Sequence, residues 1–214
     1  MEEIGRIKCL INLRISHRKS LCETSKMAKA KALTKDEIKR VMRIADTGNN
    51  GLRDRTALSL SILAGMRIGE IAALKISDVR GIDGRAIEVI NLSKHQTKGS
   101  KSRRVFISDE LRKILNQHLA EISQLDDSKA FIRSSRTMGH FSNISLSLRF
   151  KAIYAAAGIK TSSHSGRRTF ATRLNAAGIG MATIQQAMGH ANIATTAGYC
   201  WVSDEQLANA VNVI

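Results

Sequence analysis

From Leu33 onward the apolar residues recur at helical spacing almost to the C-terminus, and the pattern changes only once. Ile38, Val41, Met42 and Ala45 keep the 3.6-residue period of an amphipathic helix. Thr34-Lys-Asp-Glu37 before them has the form of a capping box, and Gly48 with Asn49-Asn50-Gly51 ends the run. A second helix is predicted from about Leu52 to Ala64, stopped by Gly65, and a third from near Ile68. Then two short β-branched runs, Ala86 to Leu92 and Arg104 to Ile107, flank a polar basic segment and read as a hairpin with a long turn. Helical spacing resumes at Asp109 to Ile122, Ser142 to Ala156, Gly166 to Ala177, Met181 to Met188 and about Ile193 to Cys200, with a last short piece near Asp204 to Val211. The expected fold class is mainly α with one small antiparallel β-sheet (α+β). The chain has no proline, so its turns depend on Gly and Asn.

Charge narrows the partner. Among 214 residues, 34 Lys and Arg face 18 Asp and Glu, a formal net charge of +16. No acidic residue lies between Ser128 and Ser203, and the cluster from Lys94 to Arg104 also lacks acids. Such a surplus points to a polyanion, although a solvated basic surface or an RNA binder would carry the same signature. No apolar run approaches the roughly 20 residues of a membrane helix, and no membrane partner is expected. Cys9, Cys22 and Cys200 form no C-x-x-C pair and fit a reducing cytoplasm. Residues 1–31 read as a basic, flexible segment without a signal-peptide pattern, and residues 32–214 as one domain. Met27 leaves open whether the first 26 residues are a translation-start artefact or a DNA-contacting arm.

Four short motifs carry chemistry. Ala64-Gly-Met-Arg67-Ile-Gly-Glu70 puts an arginine just past a glycine helix stop, where its fork can approach phosphate oxygens, and Glu70 reads as its buried ion-pair partner. Thr97-Lys98-Gly-Ser-Lys101 places lysines in the hairpin turn. His164-Ser-Gly-Arg167 sets two polar groups on one face at a helix start, where backbone N–H groups and the helix dipole favour a phosphate. Gly189-His190 is followed nine residues later by Tyr199. Phe170, Leu174, Ile184 and Met188 fall at helical spacings and are expected in the core.

Taken in order, these motifs resemble the tyrosine recombinase (phage integrase) family, over about Leu33 to Val211. The resemblance implies the catalytic-domain fold of that family and a site-specific recombinase that cleaves and rejoins DNA through a 3′-phosphotyrosyl intermediate. By that resemblance Tyr199 is the nucleophile, His164 assists its deprotonation, Arg67, Arg167 and His190 stabilise charge on the phosphate, and Lys98 protonates the leaving 5′-oxygen, with Lys101 in reserve. Lys94, Lys101, Arg103 and Arg168 are the further candidates for DNA contact. No cofactor or metal is implied, because the ester conserves the bond energy. The implied partners are double-stranded DNA, a homotetramer on synapsed sites and an accessory DNA-bending protein; the implied location is the cytoplasm, at the nucleoid. Type IB topoisomerase-like relaxation and a non-catalytic DNA-binding role remain alternatives.

The chain departs from the family pattern in several places, among them a longer hairpin approach at Lys94-His95-Gln96. Gly166 and Arg168 replace the apolar residue and the His usual around the family's second arginine, and Gly198 precedes Tyr199. Only some 30 residues precede the region of resemblance, against a whole core-binding domain in most of the family, so a weaker grip on DNA or reliance on a partner is expected. In size the chain is similar to the fimbrial inversion recombinases.

Overall fold

A computed structural model describes residues 30–97 and 102–190. Lys98, Lys101, Tyr199 and the last two helices expected from the spacing lie outside the described residues, as does nearly all of the basic N-terminal segment. The expected fold class is the observed one: seven α-helices and a two-stranded antiparallel sheet among the described residues.

Helix α1, Lys35–Asp46, begins with the capping box read from Thr34 and Glu37: Glu37 N–H donates to Thr34 Oγ1 at 3.2 Å, and Thr34 N–H donates to Glu37 Oε2 at 3.0 Å. Helix α2, Gly51–Ala64, is buried along most of its length and forms the spine of the core. From Thr56 to Ala64 its residues are apolar or small, and near its start Asp54 is buried between Arg53 and Arg149, so other elements surround it. It ends at Gly65, whose φ of 61° is a left-handed cap, and a Cβ there would collide with the Phe170 ring. Helix α3, Ile68–Ala73, follows at once.

Strands β1, Val89–Leu92, and β2, Arg103–Phe106, pair with Ile90 opposite Val105 and Leu92 opposite Arg103. Ile90, Leu92 and Val105 are buried. The first strand is shorter than the expected Ala86 to Leu92, because Ala86 forms an isolated bridge with Arg80 and donates its N–H to Asn116 Oδ1 at 2.7 Å.

Helix α4, Asp109–Glu121, is capped by Ser108, and α5, Asn143–Ala156, by Ser142. Helices α6, Ser165–Ala176, and α7, Met181–Met188, complete the described chain. One main core gathers α1 to α5 and the hairpin; a second, small cluster of Ala171, Ile184 and Met188, flanked by Phe170 and Leu174, joins α6 to α7.

Gly166, a departure from the family pattern, has a packing reason. A Cβ on it would stand 2.7 Å from Ser61 Oγ, 3.0 Å from Ser61 Cβ and 3.1 Å from Ile62 Cγ1, so the start of α6 lies directly on α2. Just upstream of α1, Lys31 N–H donates to Ser165 Oγ at 3.2 Å and Leu33 N–H to Thr169 Oγ1 at 2.8 Å, tying the chain's approach to α6. Among the described residues no helix is long and apolar enough to cross a membrane.

Candidate active site

Arg67 occupies the N-cap of α3, two residues past the left-handed Gly65. Between them Met66 is fully buried, which fixes the direction in which the arginine leaves the backbone. Glu70, one turn into α3, accepts the Arg67 backbone N–H on Oε2 at 2.8 Å and the guanidinium Nη1 on Oε1 at 2.7 Å. Arg167 lies in the first turn of α6 and is also buried. His164 is exposed at the N-cap of α6, and Arg168 is half-buried.

The helix that joins these groups is α7. The carbonyls at a helix C-terminus have no partner within the helix and carry the negative end of its dipole. Here each of those from Gln185 to Gly189 is satisfied. Gly189 N–H donates to Gln186 O at 3.0 Å and His190 N–H to Gln185 O at 3.1 Å, completing the left-handed cap made by Gly189 at φ 61°. The next three carbonyls each receive a different guanidinium. Arg103 Nη1 donates to Ala187 O at 2.8 Å, Arg167 Nη2 to Met188 O, and Arg67 Nη2 to Gly189 O at 2.8 Å. The other arm of Arg167 reaches Gly65 O, at the cap of α2. Two helix ends therefore orient Arg167, and one of them also orients Arg67.

Arg103, grouped by sequence with the DNA-contacting candidates, is not placed as a surface cation: its side chain is 8% exposed, and Nη2 donates to Glu70 Oε2 at 3.0 Å. The inward turn has an electrostatic cause. Glu70 is only 1% exposed, and a carboxylate that deep needs its oxygens neutralised; Arg67 takes one and Arg103 the other. Burial lowers the Arg103 pKa below its ordinary value, and Glu70 opposes that shift.

His190 follows directly on this cap and is half-buried. Its pKa falls to about 4, chiefly through burial and then through the positive charge of Arg167, Arg67 and Arg103. At neutral pH it is therefore an uncharged imidazole, able to donate a hydrogen bond without adding a fourth positive charge. Three guanidiniums meet one carboxylate here, and that local excess of positive charge suits a phosphate.

A cleft of about 1140 Å³ opens beside these groups, lined by Arg67 and His190, by Arg104 and Phe106 of β2 with Arg103 at its wall, and by Thr183 and Gln186 of α7. Phe106 and Arg104 were not among the sequence candidates. Both point outward on β2 while Val105 points inward, and the Arg104 guanidinium lies 5.2 Å from the Phe106 ring centroid. The strand alternation was the available signal. Lys94 is exposed in the turn after β1. The structure thus brings Arg67, Arg103, Arg167 and His190 together; Lys98, Lys101 and Tyr199 lie outside the described residues. Among the described residues no three His, Cys, Asp or Glu side chains come together as a metal site.

Residues 31–206 match the Phage integrase family. The chain is similar to Tyrosine recombinase XerA of Pyrococcus horikoshii, 31% identical over 183 residues that make up 85% of this chain and 60% of the relative. It is also similar to Tyrosine recombinase XerC of Vibrio cholerae, 28% identical over 181 residues, 83% of this chain and 56% of the relative. It thus spans about 60% or less of the length of these curated relatives. Among solved structures, a crystal structure of XerA recombinase superposes with a TM-score of 0.69 at 30% identity, covering 86% of this chain and 65% of that one. The catalytic domain of bacteriophage HP1 integrase shares the fold, with a TM-score of 0.62 at 21% identity over 86% of this chain and 95% of that domain. XerH recombinase, solved in a post-cleavage complex with a palindromic difH substrate, also shares the fold, with a TM-score of 0.66 at 23% identity over 85% of this chain and 52% of that one.

Proposed function

The chain belongs to the phage integrase family, and from that premise we propose that it is a site-specific DNA recombinase acting through a phosphotyrosyl intermediate. The observation that carries the reading is the convergence of Arg67, Arg167 and the neutral His190 at one helix end, beside an open cleft. Phosphoryl transfer without a metal requires preorganised positive charge and hydrogen-bond donors aimed at the phosphate oxygens. Here they are held by main-chain carbonyls, so little reorganisation accompanies the reaction.

In the proposed step the Tyr199 phenolic oxygen attacks phosphorus. The new O–P bond forms as the bond to the 5′-oxygen breaks. His164, exposed at the start of α6, takes the phenolic proton, and Lys98 supplies a proton to the departing 5′-oxygen, with Lys101 as the alternative donor. Arg67 and Arg167 share the charge that develops on the non-bridging oxygens, and His190 adds an uncharged donor. Attack by a 5′-hydroxyl on the phosphotyrosyl ester then reverses each transfer and joins the new strand. Double-stranded DNA is the proposed partner, a reading supported by the DNA-bound structure of XerH, which has the same fold. Lys94, Lys101 and Arg168, and with them Arg104 of the cleft wall, are proposed to contact its backbone. Exchange of both strands between two paired sites requires four cleavages, each using one tyrosine, and hence four protomers; an accessory DNA-bending protein would set their geometry. No cofactor enters the scheme.

Covalent capture tests the proposal. With a nicked duplex bearing the recombination site, the wild-type chain is expected to form a protease-sensitive covalent complex, and Tyr199→Phe to bind equally well without forming it. Capture by the Phe variant would remove Tyr199 from the mechanism. A 5′-thiolate leaving group needs no protonation, so it should rescue Lys98→Ala and not Lys101→Ala; rescue of the second variant alone would move the acid to Lys101.

A further inference from the structure

Arg103 closes a ring. Its Nη2 binds Glu70 Oε2 at 3.0 Å; the other oxygen of Glu70 binds Arg67 Nη1 at 2.7 Å; Arg67 Nη2 binds Gly189 O at 2.8 Å; and two residues back along the same helix end, Ala187 O receives Arg103 Nη1 at 2.8 Å. Both groups that hold the Arg67 fork, Glu70 and the last turn of α7, are thus themselves held by Arg103.

Its seat is shaped for it. A Cβ on Gly189 would stand 2.7 Å from Arg103 Cδ and 3.2 Å from Nη1, so the arginine stem lies flat on a bare backbone. Gly189 therefore serves both the left-handed cap, at φ 61°, and this contact. The two Arg103 bonds leave one planar group toward two acceptors on different elements, a demand met by the guanidinium fork and not by an ammonium.

We propose that Arg103 is a positioning residue: it locks the α7 cap and Glu70 together, and through them sets Arg67 and His190, rather than contacting DNA. The proposal rests on the strand-exchange reading above. It assigns to a β-strand arginine the task of keeping the phosphate-binding fork in register with the helix that carries the next donor.

The salt dependence of DNA binding and the rate of covalent capture at saturating DNA separate the two roles. A lost phosphate contact lowers the slope of log K against log salt by about 0.9. Arg103→Lys keeps a cation beside Glu70 and would keep a phosphate contact, but it cannot bridge the two acceptors. It is expected to retain the wild-type salt slope and to melt within a few degrees of the wild type, while capture slows tenfold or more. Arg103→Gln, where it folds, should likewise leave the slope unchanged. Capture by the Lys variant within twofold of wild type overturns the proposal, as does a Gln variant whose slope drops by about one ion while capture stays normal. Should the wild-type chain form no covalent complex, the recombinase reading fails separately. Arg103 is then judged by amide hydrogen exchange: the Gly189 and His190 N–H groups should exchange faster in the Lys variant while that of Arg168 is unchanged, and unaltered exchange at Gly189 and His190 refutes the lock.

Discussion

The close approach of α6 to α2 at Gly166, behind the site, makes a quantitative prediction. Gly166→Ala would place a methyl group 2.7 Å from Ser61 Oγ, 3.0 Å from Ser61 Cβ and 3.1 Å from Ile62 Cγ1. Overpacking of this kind costs about 1–3 kcal/mol. The better helix propensity of Ala returns up to ~1 kcal/mol, less in a first turn. The net loss should be about 1–2 kcal/mol, visible in urea or thermal unfolding as a fall in Tm of roughly 2–8 °C for a domain of this size. Backing α6 away from α2 also drags Arg167 from Gly65 O, so capture should slow by more than stability suggests, on the order of tenfold. Ser61→Ala in the same chain removes the nearest contact and should recover about half of the loss, a coupling that a double-mutant cycle reads directly. If Gly166→Ala equals or exceeds the wild type in stability, or if the two substitutions simply add, the helices are not as close as described, and the packing reason for Gly166 is refuted.

Other outcomes follow from the same contacts. Glu70→Gln strips the one carboxylate from between Arg67 and Arg103 and should cost about 3 kcal/mol in urea unfolding, since it leaves positive charge buried without a counter-ion; a loss under about 1 kcal/mol would mean that the pair is solvated. His118, buried against Phe131 O, and His190 both have pKa values below their ordinary 6.5. The unfolded chain therefore binds protons that the native chain refuses once the pH falls below 6.5. Stability should decline from about pH 6.5 toward about 4, and a flat urea midpoint between pH 7 and pH 5 would contradict both shifts. Binding to duplex DNA should weaken steeply with salt, with a log–log slope of about −4 or steeper if several of the cleft cations meet phosphates; a slope shallower than about −2 would argue against that footprint.

The parts of this molecule with a local signature were readable from the chain. The capping box at Thr34 and Glu37, the glycine stop at Gly65 and the strand alternation around Val105 each depend on neighbours a few positions away. Glu70 was readable as a buried partner of Arg67 for the same reason, lying one helical turn on. What spacing could not convey depends on remote backbone. The segment between α4 and α5 crosses the core through isolated bridges, Lys75 with Ala130 and Arg133 with His140, and buries Phe131 without any sustained period. The role of Gly166 needed the position of Ser61, and Arg103 gave the same one-letter signal as its exposed neighbour Arg104. Above all, the acceptors that orient the arginines are main-chain carbonyls, which every residue possesses and no motif marks.

The small apolar cluster of Ala171, Ile184 and Met188 acquires an unexpected importance from this arrangement. It supplies the buried apolar anchorage of α7, and α7 in turn is the post to which three guanidiniums are moored. A loose fit at Ile184 would therefore slacken every one of those moorings at once, and a lesion in greasy side chains would read out as an electrostatic defect. The charges of this site are only as steady as the hydrocarbon that steadies their helix.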